Sequence, residues 1–354
     1  MKIAIDCRMI FSSGIGVYLR GILPFLLQTG NSFLLLGMHN KLMEYSIYKN
    51  ARILDTDIKT FSLKEMFFFP KNLRDEINQC DIYYSPFFNI PGSIKIPIFT
   101  TIHDIIFPDI KDLVSPLGLF IRMYFFKRAY RLSKKFFTVS EFSKSRIKYH
   151  LGNKKPIIVT FSAPLPVFLD FKKLEGFNKT KTLIFIGNIK KNKGLSILLD
   201  AFSLLLAENF QYKLIIVGEK DNFRTSDNSV MRKIERMGNE NITFTGNISD
   251  TDLCDYIAKA SLLVQPSLYE GFCLPPLQAL VLGTNVLISD IPVLREVYQN
   301  FPVNFFNSGD SLDLKEKIVK VLCDNNPISL SPTLINKYNF KDVASTILTN
   351  LSGT

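Results

Sequence analysis

Short apolar runs alternate along the whole chain with longer segments of helical spacing. In the first half, Lys2–Asp6, Phe33–Leu36, Ile82–Tyr84 and Ile96–Thr101 read as buried strands. Leu183–Ile186, Leu214–Gly218, Ser261–Val264 and Val286–Ser289 repeat the pattern in the second half, and Asn241–Gly246 precedes the segment Asn247-Ile248-Ser249-Asp250. Helical spacing follows several of these runs: to about Leu27, over Leu195–Leu206, through Ala258, up to Gly283, and over Lys341–Leu351. Strand followed by helix, repeated, predicts α/β layering. The stretch Ala163–Lys181, with Pro164, Pro166 and several lysines, is the expected linker between two domains.

Three strand-to-helix junctions carry candidate chemistry. After Ser261–Val264 comes Pro266-Ser267-Leu268-Tyr269-Glu270-Gly271-Phe272-Cys273-Leu274-Pro275-Pro276-Leu277-Gln278. A helix start exposes unpaired N–H groups that suit an anion, Glu270 offers a carboxylate to hydroxyls, and the two prolines fit a first helical turn, where a missing N–H costs nothing. After Leu183–Ile186 comes the basic glycine-bounded loop Gly187-Asn188-Ile189-Lys190-Lys191-Asn192-Lys193-Gly194. A lysine in such a loop ahead of a helix is placed for a diphosphate, and a solvated basic turn is the alternative. After Lys2–Asp6, the loop Ser12-Ser13-Gly14-Ile15-Gly16-Val17-Tyr18 opens a Rossmann-like unit, though a tight turn without a ligand has the same sequence. His103 follows the run ending at Thr101, at the carboxyl end where open α/β sheets place ligands. Ser140 and Asp250 are expected helix caps, and the cap reading extends to Asp250-Thr251-Asp252.

The run from Glu270 to Ala279 resembles the Glu-Gly-Phe-Gly-Leu-Pro-Pro-Leu-Glu-Ala motif of retaining GT-B glycosyltransferases of family 4, with Cys273 and Gln278 departing from it. Ile-Asp-x-Arg with Gly-Ile-Gly-x-Tyr, Ile102-His103-Asp104 and Val139-Ser140-x-Phe142-Ser143 also resemble that family, and the likeness spans nearly the whole chain. It implies two Rossmann-like domains facing across a cleft: residues 1–165 for the acceptor, 166–337 for the donor, and 338–354 as a helix crossing back. It implies transfer of a hexose, mannose or a deoxyhexose such as rhamnose favoured, from a nucleotide sugar to a lipid-linked or saccharide acceptor in surface polysaccharide or O-antigen synthesis.

Carried over, Glu270 holds sugar hydroxyls, Gln278 contacts ribose, His103 lies against the sugar and Lys193 stabilises the leaving diphosphate. Gly14, Gly16, Asn188, Asn247, Gly271, Phe272 and Leu274 complete the expected donor site. Gln278 for a carboxylate gives up about 1–2 kcal/mol of donor binding. The charge of Lys193 makes a metal unnecessary, so no metal and no cofactor is expected. A non-catalytic relative that binds a glycan or partner would explain Gln278. A nicotinamide-dependent oxidoreductase would explain one Rossmann-like start, but the third glycine of its fingerprint falls on Leu19.

Composition narrows the setting. With 354 residues, 47% hydrophobic and 21% charged, the chain has material for two cores, and no apolar run of about twenty residues reads as a membrane span. The N-terminus reaches Asp6 too soon for a signal-peptide core, so a cytoplasmic protein is expected. Its five widely spaced cysteines read as reduced and metal-free. Residues 1–170 hold 23 Lys+Arg against 13 Asp+Glu, and most of the net charge of +11 lies there. That asymmetry points to an anionic partner. Over Phe120–Phe136, Ile121, Phe125, Ala129, Leu132 and Phe136 share a helical face, and Lys127, Arg128, Arg131, Lys134 and Lys135 occupy the adjoining sector. One reading is a helix lying on an anionic membrane surface, which makes the protein peripheral on the inner face of the cell membrane. The other is a helix whose stripe faces the core and whose lysines are solvated. Nucleic acid is not an expected partner.

Overall fold

The computed structural model describes residues 1–110, 113–171, 178–218, 228–237, 240–324, 328 and 330–352. The chain divides into two compact units: residues 1–109, 115–165 and 339–354 form one, and residues 110–114 and 166–338 the other.

The first unit is built on β1 (Lys2–Asp6), β2 (Ser32–Gly37), β3 (Ala51–Asp55), β4 (Ile82–Ser85), β5 (Ile98–Thr101), β6 (Ser133–Thr138) and β7 (Ile157–Val159). They pair in the order β3-β2-β1-β4-β5-β6-β7, every pair parallel. The central strand β4 is buried throughout, as a parallel strand covered on both faces requires. The helix Phe340–Ser352 packs on the helix Ser13–Leu27 at Gly21, where a Cβ would lie 2.2 Å from the Phe340 ring. Only a residue without a side chain admits that approach.

The second unit carries β8 (Thr180–Ile186), β9 (Lys213–Val217), β10 (Ile242–Gly246), β11 (Ala260–Gln265), β12 (Asn285–Ser289) and β13 (Asn304–Phe306). Their order is β10-β9-β8-β11-β12-β13, again all parallel. Leu183, Phe185, Leu198, Leu262 and Leu287 belong to its core. In chain order both sheets run 3-2-1-4-5-6, the doubly wound Rossmann arrangement, and the first adds one more strand at its edge. Each sheet therefore has a point where the winding reverses: between β1 and β4 in one unit, between β8 and β11 in the other. Right-handed crossovers leave from opposite sides there and open a crevice beyond the carboxyl ends of the strands.

Several expectations shift. The helix begun near Phe120 spans Pro116–Leu132 and stops where the backbone of Ser133 turns extended to pair with Ile98. Lys134, Lys135 and Phe136 thus lie on β6, where alternation rather than the helical period sets their direction. Gly14 and Gly16 lie in the first turn of the helix Ser13–Leu27 and not in a loop. Ser249, not Asp250, caps the helix Asp250–Lys259, its hydroxyl accepting from Asp252 N at 3.1 Å. Within the expected linker, Pro166–Phe171 is helical and β8 begins at Thr180, while residues 172–177 lie outside the described residues.

Candidate functional site

The winding reversal of the second unit brings two loops together. The loop after β8 ends in the turn Lys191–Lys193, and the loop after β11 runs from Pro266 to Leu274. Leu268 N donates to Asn192 O at 2.8 Å, and Asn192 Nδ2 donates to Tyr269 O at 3.3 Å. Gly194 adopts φ +65° and sits so close to the second loop that a Cβ would lie 1.9 Å from Pro266 O. Lys193 Nζ then reaches both oxygens of Glu270, at 2.7 and 2.8 Å. Glu270 is nearly buried and Lys193 partly open, so the pair has one protected member and one facing solvent.

Two residues not recognised in the sequence orient the carboxylate. Ser267 Oγ donates to Glu270 Oε1 at 2.7 Å and accepts from Gln265 Nε2 at 3.0 Å. Both side chains are fully buried, and Gln265 Oε1 has no partner. A polar residue directly after the apolar run Leu262–Val264, as Gln265 is in β11, was the signal that could have found this relay.

The junction differs from expectation in three ways. Pro275 and Pro276 occupy the first two positions of the helix Pro275–Val281, and the N–H groups of Leu277 and Gln278 return to Leu274 O. This helix start therefore presents little free N–H to an anion. The helix Leu195–Ala207 begins directly after Lys193-Gly194, with Gly194 at its N-cap and no side-chain cap. Phe272 turns inward, its ring edge-on to Tyr338 at 5.5 Å. Cys273 stands in the left-handed region at φ +70°, a conformation that favours the glycine of the resembling motif. Tyr298 Oη donates to the Cys273 carbonyl and helps to hold it there. Burial, with Glu270 nearby, pushes the Cys273 thiol up, so it is a neutral group at ordinary pH.

Gly271 and Gln278 are buried at this junction, Leu274 is half-buried, and Asn188 lies half-buried in the first loop. Asn247 is exposed after β10, at the same carboxyl edge of the sheet but two strands from β8.

The first unit has its own constellation at its winding reversal. His103, after β5, donates from Nε2 to Pro86 O at 2.9 Å, after β4. A carbonyl only accepts, so Nε2 carries the proton. The ring meets Tyr18 edge-on at 5.0 Å, and burial lowers its pKa from 6.5 to about 4. His103 is therefore a neutral imidazole at physiological pH. Gly16 lies where a Cβ would come within 2.5 Å of Ile10 O, which keeps the loop after β1 tight against its helix, while Gly14 has open space around it. Below the loop, Arg8 bridges buried Asp6 and Glu65, each at 2.5 Å.

The basic residues of the helix Pro116–Leu132 and of β6 do not form one cationic face. Arg128 is turned inward, donating to Ile90 O at 2.6 Å and Pro91 O at 3.4 Å, and burial lowers its pKa. Lys135 Nζ donates to Asn350 O at 3.1 Å. Lys127, Arg131 and Lys134 are exposed. Among the described residues there is no cluster of three or more His, Cys, Asp or Glu side chains placed to hold a metal ion, and no helix long and apolar enough to cross a membrane.

Comparison with known proteins agrees with this geometry. The profile of the family Glycosyl transferases group 1 matches residues 168–336, the greater part of the second unit. The chain is 25% identical over 240 residues to the O-antigen chain mannosyltransferase RfbU of Salmonella typhimurium, covering 66% of this chain and 65% of that one. It is 30% identical over 237 residues to O-antigen chain mannosyltransferase B of Escherichia coli, covering 61% of this chain and 58% of that one. The matched stretches thus span less than two thirds of either relative. The crystal structure of Anabaena Alr3699/HepE in complex with UDP and glucose superposes with a TM-score of 0.68 at 15% identity, covering 100% of both chains. With the two strand orders, this likeness gives the chain the GT-B fold class, two Rossmann-like α/β domains.

Proposed function

We propose that this chain, whose residues 168–336 form a glycosyl transferases group 1 domain, is a retaining glycosyltransferase of family 4. In this reading it moves a hexose, mannose favoured over a deoxyhexose such as rhamnose, from a nucleotide sugar to a lipid-linked or saccharide acceptor in surface polysaccharide or O-antigen synthesis. The two mannosyltransferase relatives support the sugar, and the UDP and glucose in the Anabaena protein support a nucleotide-sugar donor. The observation that carries the reading is the Lys193–Glu270 pair at the winding reversal of the matched domain.

The roles follow from charge. Departure of a nucleoside diphosphate gathers negative charge on its oxygens, and preorganised donors aimed at that charge supply the largest catalytic effect. Lys193 and the first N–H groups of the helix Leu195–Ala207 are such donors. Glu270 holds sugar hydroxyls, with Asn188, Asn247, Gly271 and Leu274 completing the donor contacts, Phe272 through its backbone. Gln278 contacts ribose as a neutral partner. Neutral His103 hydrogen-bonds the sugar without adding a cation beside a developing oxocarbenium ion, and Gly14 and Gly16 let the chain approach the substrates. Lys193 and Glu270 satisfy each other in the free protein, so donor binding exchanges one contact for two: phosphate for the lysine, hydroxyls for the carboxylate. Positive charge from Lys193 makes the reaction metal-independent in this reading, and no cofactor or nucleic acid takes part. The acceptor is met in the cytoplasm at the inner face of the cell membrane.

A donor screen scored by release of nucleoside diphosphate, with a lipid-linked acceptor mixture, tests the proposal. Release from GDP-mannose that requires acceptor and is lost in Glu270→Ala, with the melting curve intact, is expected. Acceptor-independent binding without release would instead mark a non-catalytic relative, and a thermal shift with nicotinamide nucleotides alone would mark an oxidoreductase.

A further inference from the structure

The helix Pro116–Leu132 has a face that the core does not use. Its buried side is Phe126 and Ala129, with Phe126 stacked on Phe88 at 4.0 Å between ring centroids. At about 100° per residue, Leu117, Phe120, Ile121 and Tyr124 fall within about 100° of one another on the opposite side. They are 68%, 71%, 45% and 46% exposed. A lone exposed apolar residue needs no explanation, but four large ones on consecutive turns form a patch that does. The same face continues toward the carboxyl end into exposed Lys127 and Arg131. Beside it, Phe61, 43% exposed, meets Phe125 at 6.1 Å and carries the apolar surface onto a second segment.

We propose that this face docks on the surface of an anionic phospholipid bilayer. Leu117, Phe120, Ile121 and Tyr124 enter the boundary between headgroups and acyl chains, while Lys127 and Arg131 meet lipid phosphates. Charge selects this occupant. The helix contains no carboxylate, its exposed apolar residues lead into cations, and the half of the chain that carries it holds most of the net positive charge. Lysine is depleted from the cores of protein interfaces but enriched on helices that lie in a lipid interface. The helix is about 25 Å long, enough to lie flat with two apolar turns inserted. The inference gives a contact surface to the peripheral placement proposed above, and it stands apart from the transfer chemistry because lipid binding is read without donor or acceptor.

Flotation with vesicles tests it, comparing phosphatidylcholine alone with phosphatidylcholine containing phosphatidylglycerol. The parent chain is expected to float with the anionic vesicles at low salt and to be released by high salt. Phe120→Ser with Tyr124→Ser, and separately Lys127→Glu with Arg131→Glu, are each expected to lower partitioning about tenfold or more, with melting curves unchanged. The chain has no tryptophan. Phe120→Trp therefore supplies a single probe whose emission shifts to the blue on anionic vesicles. Equal binding to neutral vesicles, undiminished binding in either double variant, or no shift of the probe overturns the proposal. So does a concentration-dependent dimer that is lost in Phe120→Ser while lipid binding stays absent, which assigns the face to a protein contact.

Discussion

Lys193 and Glu270, 77 residues apart, meet through two contacts of 2.7 and 2.8 Å, and their side chains are 25% and 8% exposed. The asymmetry of exposure has an energetic consequence. Removing the lysine strands a nearly buried carboxylate, whereas removing the carboxylate leaves a cation that still reaches water. Lys193→Met is expected to cost about 2–4 kcal/mol of stability, and Glu270→Gln about 1 kcal/mol, since solvent screens the exposed partner. Urea denaturation of both variants and of the double variant checks this. Equal losses in the two single variants would contradict the burial argument.

Ser267 stands between Gln265 and Glu270 and hands the carboxylate one fixed hydrogen bond. Ser267→Ala is expected to lower nucleotide release about tenfold, the equivalent of about 1.4 kcal/mol, because Glu270 then has to be ordered by substrate instead of by the protein. Stability should fall by about 1–3 kcal/mol, as the amide of Gln265 loses its acceptor. Steady-state turnover together with a melting curve reads both. A variant with reduced stability and unaltered turnover would show that Glu270 is oriented without Ser267.

His103 ties pH to stability. Its folded pKa of about 4 lies below the ordinary 6.5, so the unfolded chain binds the proton first as pH falls. Above pH 6.5 the group is neutral in both states and contributes no slope; between 6.5 and about 4 it progressively favours unfolding. The full effect, reached below both values, is about 3 kcal/mol. His103→Gln, which cannot titrate, should lack this part of the slope when urea midpoints are compared across that window. The same shift keeps His103 neutral through the range where imidazoles usually titrate, so activity should show no inflection from it near pH 6.5.

The strands and the two strand-to-helix junctions of the second unit were legible because buried parallel strands are short unbroken apolar runs, and because Glu270 and Lys193 sit in loops bounded by Pro and Gly. The edge strands Ala51–Asp55, Ile157–Val159 and Asn304–Phe306 were not, being short and only partly covered. The buried phase of the helix Pro116–Leu132 is not legible in its sequence for a specific reason. Phe125 and Phe126 are adjacent, so a stripe through either one looks amphipathic, and only packing against Phe88 selects Phe126. The apolar pattern continues through Phe136 because no glycine or proline marks the helix end at Leu132. Capping by Ser249 instead of Asp250 turned on a one-residue choice between two competent side chains. A relation between distant segments, such as Arg8 on Glu65 across 57 residues, has no period that a linear reading detects.

The buried network of the first unit shows most clearly what such distant relations cost when broken. Arg8 donates to Asp6 and Glu65, both fully buried, Tyr83 Oη donates to Asp6 at 2.6 Å, and Phe61 N donates to Glu65 at 2.8 Å. Burial, its largest cause, raises the pKa of Glu65, and Arg8 opposes that rise. Arg8→Met removes the opposition and leaves two carboxyls in the core, an expected loss of about 3–5 kcal/mol at neutral pH. A carboxyl whose folded pKa is raised gives most stability below its unfolded pKa and loses it as pH rises through the folded value. The deficit of Arg8→Met relative to the parent should therefore shrink as pH falls toward the ordinary carboxylate range, and Glu65→Gln added to it should recover part of the loss at neutral pH. Urea midpoints of the three proteins at pH values on either side of that range measure both effects, and a deficit independent of pH would mean that neither carboxyl is held charged by Arg8.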